Sequence, residues 1–108
     1  MGFSSLANVL TYQDEKRLTK IRVDNMMYVA MQDYCAGRFE KALEKYRAVL
    51  RTEPGNIEAL KRIAYTYVSL GDIRKSSETW KRISRIAPND KETMERLKGL
   101  SYENIRQK

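Results

Sequence analysis

The sequence predicts an all-α solenoid of antiparallel helix pairs, and three observations carry that prediction. Setting residues 23–56 over 57–90 gives a gap-free internal match with a period of 34 residues. Periods of that order belong to stacked supersecondary units. Within the second copy, Leu60, Ile63, Ala64 and Tyr67 recur at the i, i+3, i+4, i+7 spacing of one helical face. Glycine returns at Gly37 and Gly71 and proline at Pro54 and Pro88, so both copies are punctuated at the same two points. The chain then divides into an N-terminal helical extension (1–22), two full units (23–56 and 57–90), and a capping helix with its tail (91–108).

In the extension, Leu6, Val9 and Leu10 form one short apolar face and Leu18 and Ile21 another. A short helix is expected around 4–11. A second stretch should begin near residue 15, because Asp14 and Glu15 suit the positive end of a helix dipole. It is expected to run directly into the first repeat helix. Repeat units bury their apolar faces against neighbours, and usually about three are needed for stability. Two units plus one helix therefore want cover, which residues 3–22 or a second copy of the chain would supply.

In the first unit, Met26, Val29 and Ala30 stand opposite Leu60, Ile63 and Ala64. Asp33 occupies the place of Tyr67, and Tyr34 beside it is expected to supply the missing bulk. Gly37 can take the φ > 0 position that ends a helix. Phe39, Ala42, Tyr46 and Val49 follow as the second helix's buried stripe, until Glu53-Pro54-Gly55-Asn56 closes the unit. Proline cannot continue the helix, and Asn56 can cap the next one. The second unit repeats the scheme with Leu70-Gly71-Asp72, then Ile73, Ser76, Trp80 and Ile83, then Ala87-Pro88-Asn89-Asp90. Met94 and Leu97 fill the slots of Leu60 and Ile63 in the last helix.

Gly37/Gly71, Phe39/Ile73, Ala42/Ser76, Tyr46/Trp80, Pro54/Pro88 and the small Ala64 together make the chain resemble the tetratricopeptide repeat (TPR), a helix–turn–helix unit of 34 residues. The resemblance covers residues 23–90, with 91–106 as a closing first helix. It implies a TPR-like solenoid and a protein-binding scaffold whose first helices line a concave groove. The matching groove positions are Met27, Met31, Glu58, Lys61, Arg62, Tyr65, Ser69, Glu92, Glu95 and Arg96. Methionine adapts to varied apolar partners and tyrosine offers a stacking face with a polar tip. An apolar N-terminal half and a charged C-terminal half are expected. Equally, Met26, Met27 and Met31 could pack beneath residues 3–22.

Some members of the family clamp the C-terminal carboxylates of chaperones with lysine, asparagine and arginine on successive first helices. Here Met27, Met31 and Arg62 stand in those lysine and asparagine positions, Glu92 reverses a lysine, and only Arg96 matches. Chaperone-tail binding is therefore disfavoured.

Composition narrows the function further. The formal charge is +7 with no histidine, which removes most metal sites, catalytic triads and imidazole acid–base schemes. No glycine-rich phosphate loop appears. No catalytic residue, metal site or cofactor is expected, and the chain is read as a non-enzyme. The one cysteine, Cys35, fits a reducing, cytoplasmic setting and is expected to be a buried or half-buried structural thiol. No secretory signal, myristoylation pattern or membrane span is expected either. The positive charge has an address: Arg74, Lys75, Lys81, Arg82 and Arg85 lie opposite the Ser76/Trp80/Ile83 stripe and face only Glu78. A solvated convex face is the default reading of that patch. The leading function is an adaptor that binds another protein in the groove; the alternatives are a homo-oligomeric scaffold and, ranked below it, electrostatic binding of nucleic acid or anionic membrane.

Overall fold

The computed structural model describes residues 11–106 and their side chains as far as residue 99. The short helix expected at 4–11 lies outside the described residues. Five helices follow: α1 (Tyr12–Cys35), α2 (Phe39–Thr52), α3 (Ile57–Ser69), α4 (Ile73–Ile86) and α5 (Lys91–Arg106). Each packs chiefly against its neighbours in sequence, as a solenoid requires.

Helix α1 begins three residues earlier than Asp14 and Glu15 suggested, because Thr11 forms a capping box. Its hydroxyl accepts the Asp14 amide at 3.3 Å, while the Asp14 carboxylate accepts the Thr11 amide at 3.1 Å. From there the helix runs without interruption to Cys35. Residues 12–22 therefore continue the axis of the first repeat helix and do not fold back over Met26, Met27 or Met31. Leu18 and Ile21 remain exposed.

Both units turn in the same way. Gly37 and Gly71 each have φ of 81°. In the first turn the Arg38 amide reaches the Asp33 carbonyl and the Gly37 amide that of Tyr34. In the second, Asp72 reaches Tyr67 and Gly71 reaches Val68. This paired pattern is the Schellman motif, which satisfies carbonyls that the helix end would leave orphaned. Asn56, Asp72 and Asp90 then accept backbone amides three residues ahead and start the following helices.

Among the described residues the core is a chain of three clusters. Ala30, Ala42, Leu43, Tyr46, Ile63 and Tyr67 form one; Leu60, Ala64, Trp80 and Ile83 form another; Val23, Val49 and Ala59 form the third. Leu50 packs against all of them. Ser76 sits in Ala42's register position, and its buried hydroxyl donates to the Ala64 carbonyl at 2.8 Å. A polar residue is tolerated there because its hydrogen bond is made inside the core.

Several stripe positions depart from expectation. Met26 and Val29 are exposed, whereas Leu60 and Ile63, in the same register, are buried. The second pair lies against the preceding unit, and among the described residues no such unit precedes the first pair. Ile73 is exposed as well: its counterpart Phe39 packs edge-on against Tyr34 at 5.2 Å, but the residue in Tyr34's register is the smaller Val68. Met94 is also exposed, while Thr93 is buried and Leu97 joins the Trp80 cluster.

Asp33 is the largest surprise in the first unit. It is buried and held by Arg38 at 2.8 Å and by Lys45. Hydrogen bonds from Lys45 and Arg38 lower its carboxyl pKa, against the opposing effect of burial. The slot is thus filled by an ion-paired network. Tyr34 packs against the first cluster and sends its hydroxyl to Ser69 at 2.9 Å, across the seam to α3.

Candidate binding groove

The first helices of the units, α1, α3 and α5, carry two hollows along one face. The first, about 250 Å³, is lined by Val23, Asp24, Met27, Tyr28 and Met31 of α1 and by Glu58 and Arg62 of α3, with Tyr46 and Asn56. The second, about 290 Å³, is lined by Tyr65 and Val68 of α3, by Glu95, Arg96 and Gly99 of α5, and by Ser76 and Trp80. The 34-residue register explains the pairing. Met31, Tyr65 and Gly99 share one position in it, and Tyr28, Arg62 and Arg96 share another.

The structure brings Met27, Met31 and Arg62 together in the first hollow, and Tyr65 and Arg96 in the second. Lys61 and Ser69 line neither. The Lys61 ammonium is engaged by Asp90 at 3.0 Å and Glu92 at 3.3 Å. Burial alone would lower its pKa, but hydrogen bonds to the two carboxylates outweigh burial and raise it. Ser69 is committed to Tyr34. Sequence reasoning passed over Asp24, Tyr28 and Val68; the same register would have found the first two, since they stand 34 residues from Glu58 and Arg62, whereas no groove position stands 34 residues from Val68.

The second hollow is built on a stack. Tyr65 meets Trp80 edge-on at 5.4 Å between centroids, and the Arg96 guanidinium lies 5.1 Å from the Tyr65 centroid. Arg96 also donates from Nε to the Tyr65 hydroxyl at 3.2 Å. Such contacts orient the arginine while leaving its charge intact. In the first hollow, burial pushes the Tyr46 phenol above its ordinary pKa, so it stays a neutral, apolar-bodied wall. The expected split into apolar and charged halves does not hold: each hollow combines apolar or aromatic side chains with at least one carboxylate and an arginine.

On the opposite side, all five predicted convex cations are exposed, but they do not form one patch facing Glu78 alone. Arg74 pairs with Glu78 at 3.9 Å, and Lys75 pairs with Asp72 at 3.8 Å. Arg82 donates to the Pro54 carbonyl at 3.2 Å, not to Glu78. Lys81 and Arg85 have no ion-pair partner among the described residues. Cys35 is exposed, contrary to expectation; it is the last residue of α1.

Among the described residues, no group of three His, Cys, Asp or Glu side chains converges as a metal site would require. No helix among them is long and apolar enough to cross a membrane. The family model for the tetratricopeptide repeat matches residues 36–100. No curated protein matches the chain.

Proposed function

The chain belongs to the tetratricopeptide-repeat family, and from that premise we propose that it is a non-catalytic adaptor receiving a peptide or helix of a partner protein in its concave groove. Repeats of this family generally mediate protein–protein interaction. The observation that carries the reading is the alignment of two hollows on successive first helices, each with apolar or aromatic side chains and an oriented or exposed arginine. Apolar and aromatic surface supplies most of the binding energy of a small contact, and the charges supply register. A cytoplasmic location belongs to the same reading and rests on the single cysteine.

Selection from a displayed peptide library against the whole chain tests the groove. Selected peptides should lose at least about tenfold in affinity for the pair Met31→Glu and Tyr65→Ala, because one residue is removed from each hollow. Circular dichroism of the variant should remain helical. Unchanged affinity would place the binding surface elsewhere.

A second reading, self-association through the N-terminal side, is favoured by one observation. Met26 and Val23 of α1 open, with Ala48 and Val49 of α2, onto a hollow of about 320 Å³, and Val29 is exposed one turn on. A second copy packing there would cover the register that Leu60 and Ile63 bury in the next unit. Sedimentation of the whole chain should then show a concentration-dependent dimer, lost in Met26→Glu with Val29→Glu. A monomer at every concentration would rule it out.

A further inference from the structure

Cationic side chains of α2 and α4 converge on Tyr67 and the Pro54 carbonyl and form one charged surface. Arg47 of α2 and Lys75 of α4 both lie against the ring of Tyr67, at 5.9 and 5.8 Å from its centroid. Two helices thus turn a cation toward the same buried phenol. Arg47 also donates to the Tyr67 hydroxyl, and Arg82 of α4 donates to the Pro54 carbonyl at 3.2 Å. These acceptors are neutral. They hold the guanidinium groups in place without cancelling their charge.

Arg51 stands one turn beyond Arg47, about 6 Å along the axis. Lys75 and Arg82 are two turns apart, about 10 Å. Among the described residues, Arg47, Arg51 and Arg82 have no carboxylate within ion-pair distance; Lys75 alone has one, Asp72 at 3.8 Å. The sequence showed the α4 residues but not their partners, because Arg47 and Arg51 belong to a different helix of the preceding unit.

We propose that this surface binds an acidic segment of a protein, with Arg47, Arg51, Lys75 and Arg82 as its carboxylate-binding residues. Charge complementarity selects the partner's sign, and arginine's planar fork suits carboxylates. An extended segment places every second side chain on one face, about 6.6 Å apart, close to the step from Arg47 to Arg51. Nucleic acid fits less well. The Tyr67 ring is buried, so this surface presents no free aromatic face on which a base could stack. Because the guanidinium groups are oriented before binding, less ordering entropy is lost on association.

The test uses the whole chain and a labelled glutamate-rich peptide, followed by fluorescence anisotropy. Binding should be measurable at low salt and weaken as salt rises. Arg47→Glu with Arg82→Glu should reduce affinity at least about tenfold, and Arg47→Gln with Arg82→Gln should reduce it less, with helical circular dichroism retained in both. Arg17→Glu with Lys98→Glu changes the net charge equally from exposed sites on α1 and α5 and should matter far less. The groove pair Met31→Glu and Tyr65→Ala should bind the peptide normally, which separates this site from the concave one. The proposal is overturned if the peptide does not bind at low salt, or if the two charge-reversal pairs lose affinity equally. It is also overturned if an oligothymidylate or phosphatidylserine vesicles bind more tightly than the peptide.

Discussion

Replacing Trp80 by alanine should cost this protein much of its stability, whereas the same change at Ile73 should cost almost nothing. Both residues belong to one apolar stripe of α4 by spacing, so a reading from periodicity predicts two losses. The structure predicts one. Trp80 is 2% exposed and joins Leu60, Ala64 and Ile83, with Leu97 of α5 packed against the same cluster. Ile73 is 49% exposed. A buried tryptophan removes about 150–250 Å² from water, worth about 4–6 kcal/mol at roughly 25 cal/mol per Å². Observed Trp→Ala losses of about 3–5 kcal/mol fall in the same range, since the cavity partly relaxes. Against a total of about 5–15 kcal/mol for a domain, that is a large fraction. The Ile73 change should stay within about 0.5 kcal/mol, as for surface substitutions generally. Urea titration followed by far-ultraviolet circular dichroism is the assay, because Trp80 is the chain's only tryptophan and its fluorescence vanishes with it. With m of about 1–3 kcal/mol/M, Trp80→Ala should lower the midpoint by about 1 M or more. A loss below about 1 kcal/mol for Trp80, or comparable losses at both sites, would refute the assignment of Trp80 as the residue joining α3, α4 and α5.

Two further outcomes are expected. Gly71→Ala should destabilise by about 1–2 kcal/mol in thermal melts, from backbone strain at positive φ alone, since a Cβ there meets no neighbouring atom; Gly55→Ala, also in open space but without positive φ, should not. Asp90→Asn should flatten the acid side of the plot of melting temperature against pH. The Thr93 hydroxyl, with Lys61 and the Thr93 amide, holds the Asp90 carboxyl at about 2, below its unfolded value, so its stabilisation is full above roughly pH 4 and lost as pH falls toward that value. Parallel wild-type and variant curves across that window would show that Asp90 does not carry this dependence.

Much of the fold was legible because helix punctuation is local. Gly37, Gly71, Pro54 and Pro88 act through backbone torsion and a missing amide, which depend on the residue itself, and the 34-residue register placed every turn correctly. Thr11 was missed as a cap although it is equally local, since Asp14 and Glu15 drew the start of the helix inward. The lining of the two hollows was legible in part. Met27, Met31, Arg62, Tyr65 and Arg96 lie where the register puts them, whereas Lys61 is withdrawn by Asp90 and Glu92, a turn that lies 29 residues along the chain.

The amino-acid sequence alone therefore determined the unit length and the helix order, because both follow from the torsions and spacing of neighbouring residues. Tertiary structure decided which members of a stripe are covered. Met26 and Leu60 share a register, yet only Leu60 has a preceding unit against it among the described residues. It also decided which charges remain free. Asp33 spends its charge on Arg38 and Lys45, while Arg47 and Arg82 keep theirs by leaning on a phenol and a carbonyl. Burial and pairing depend on which helices meet, and that is a property of the stack as a whole.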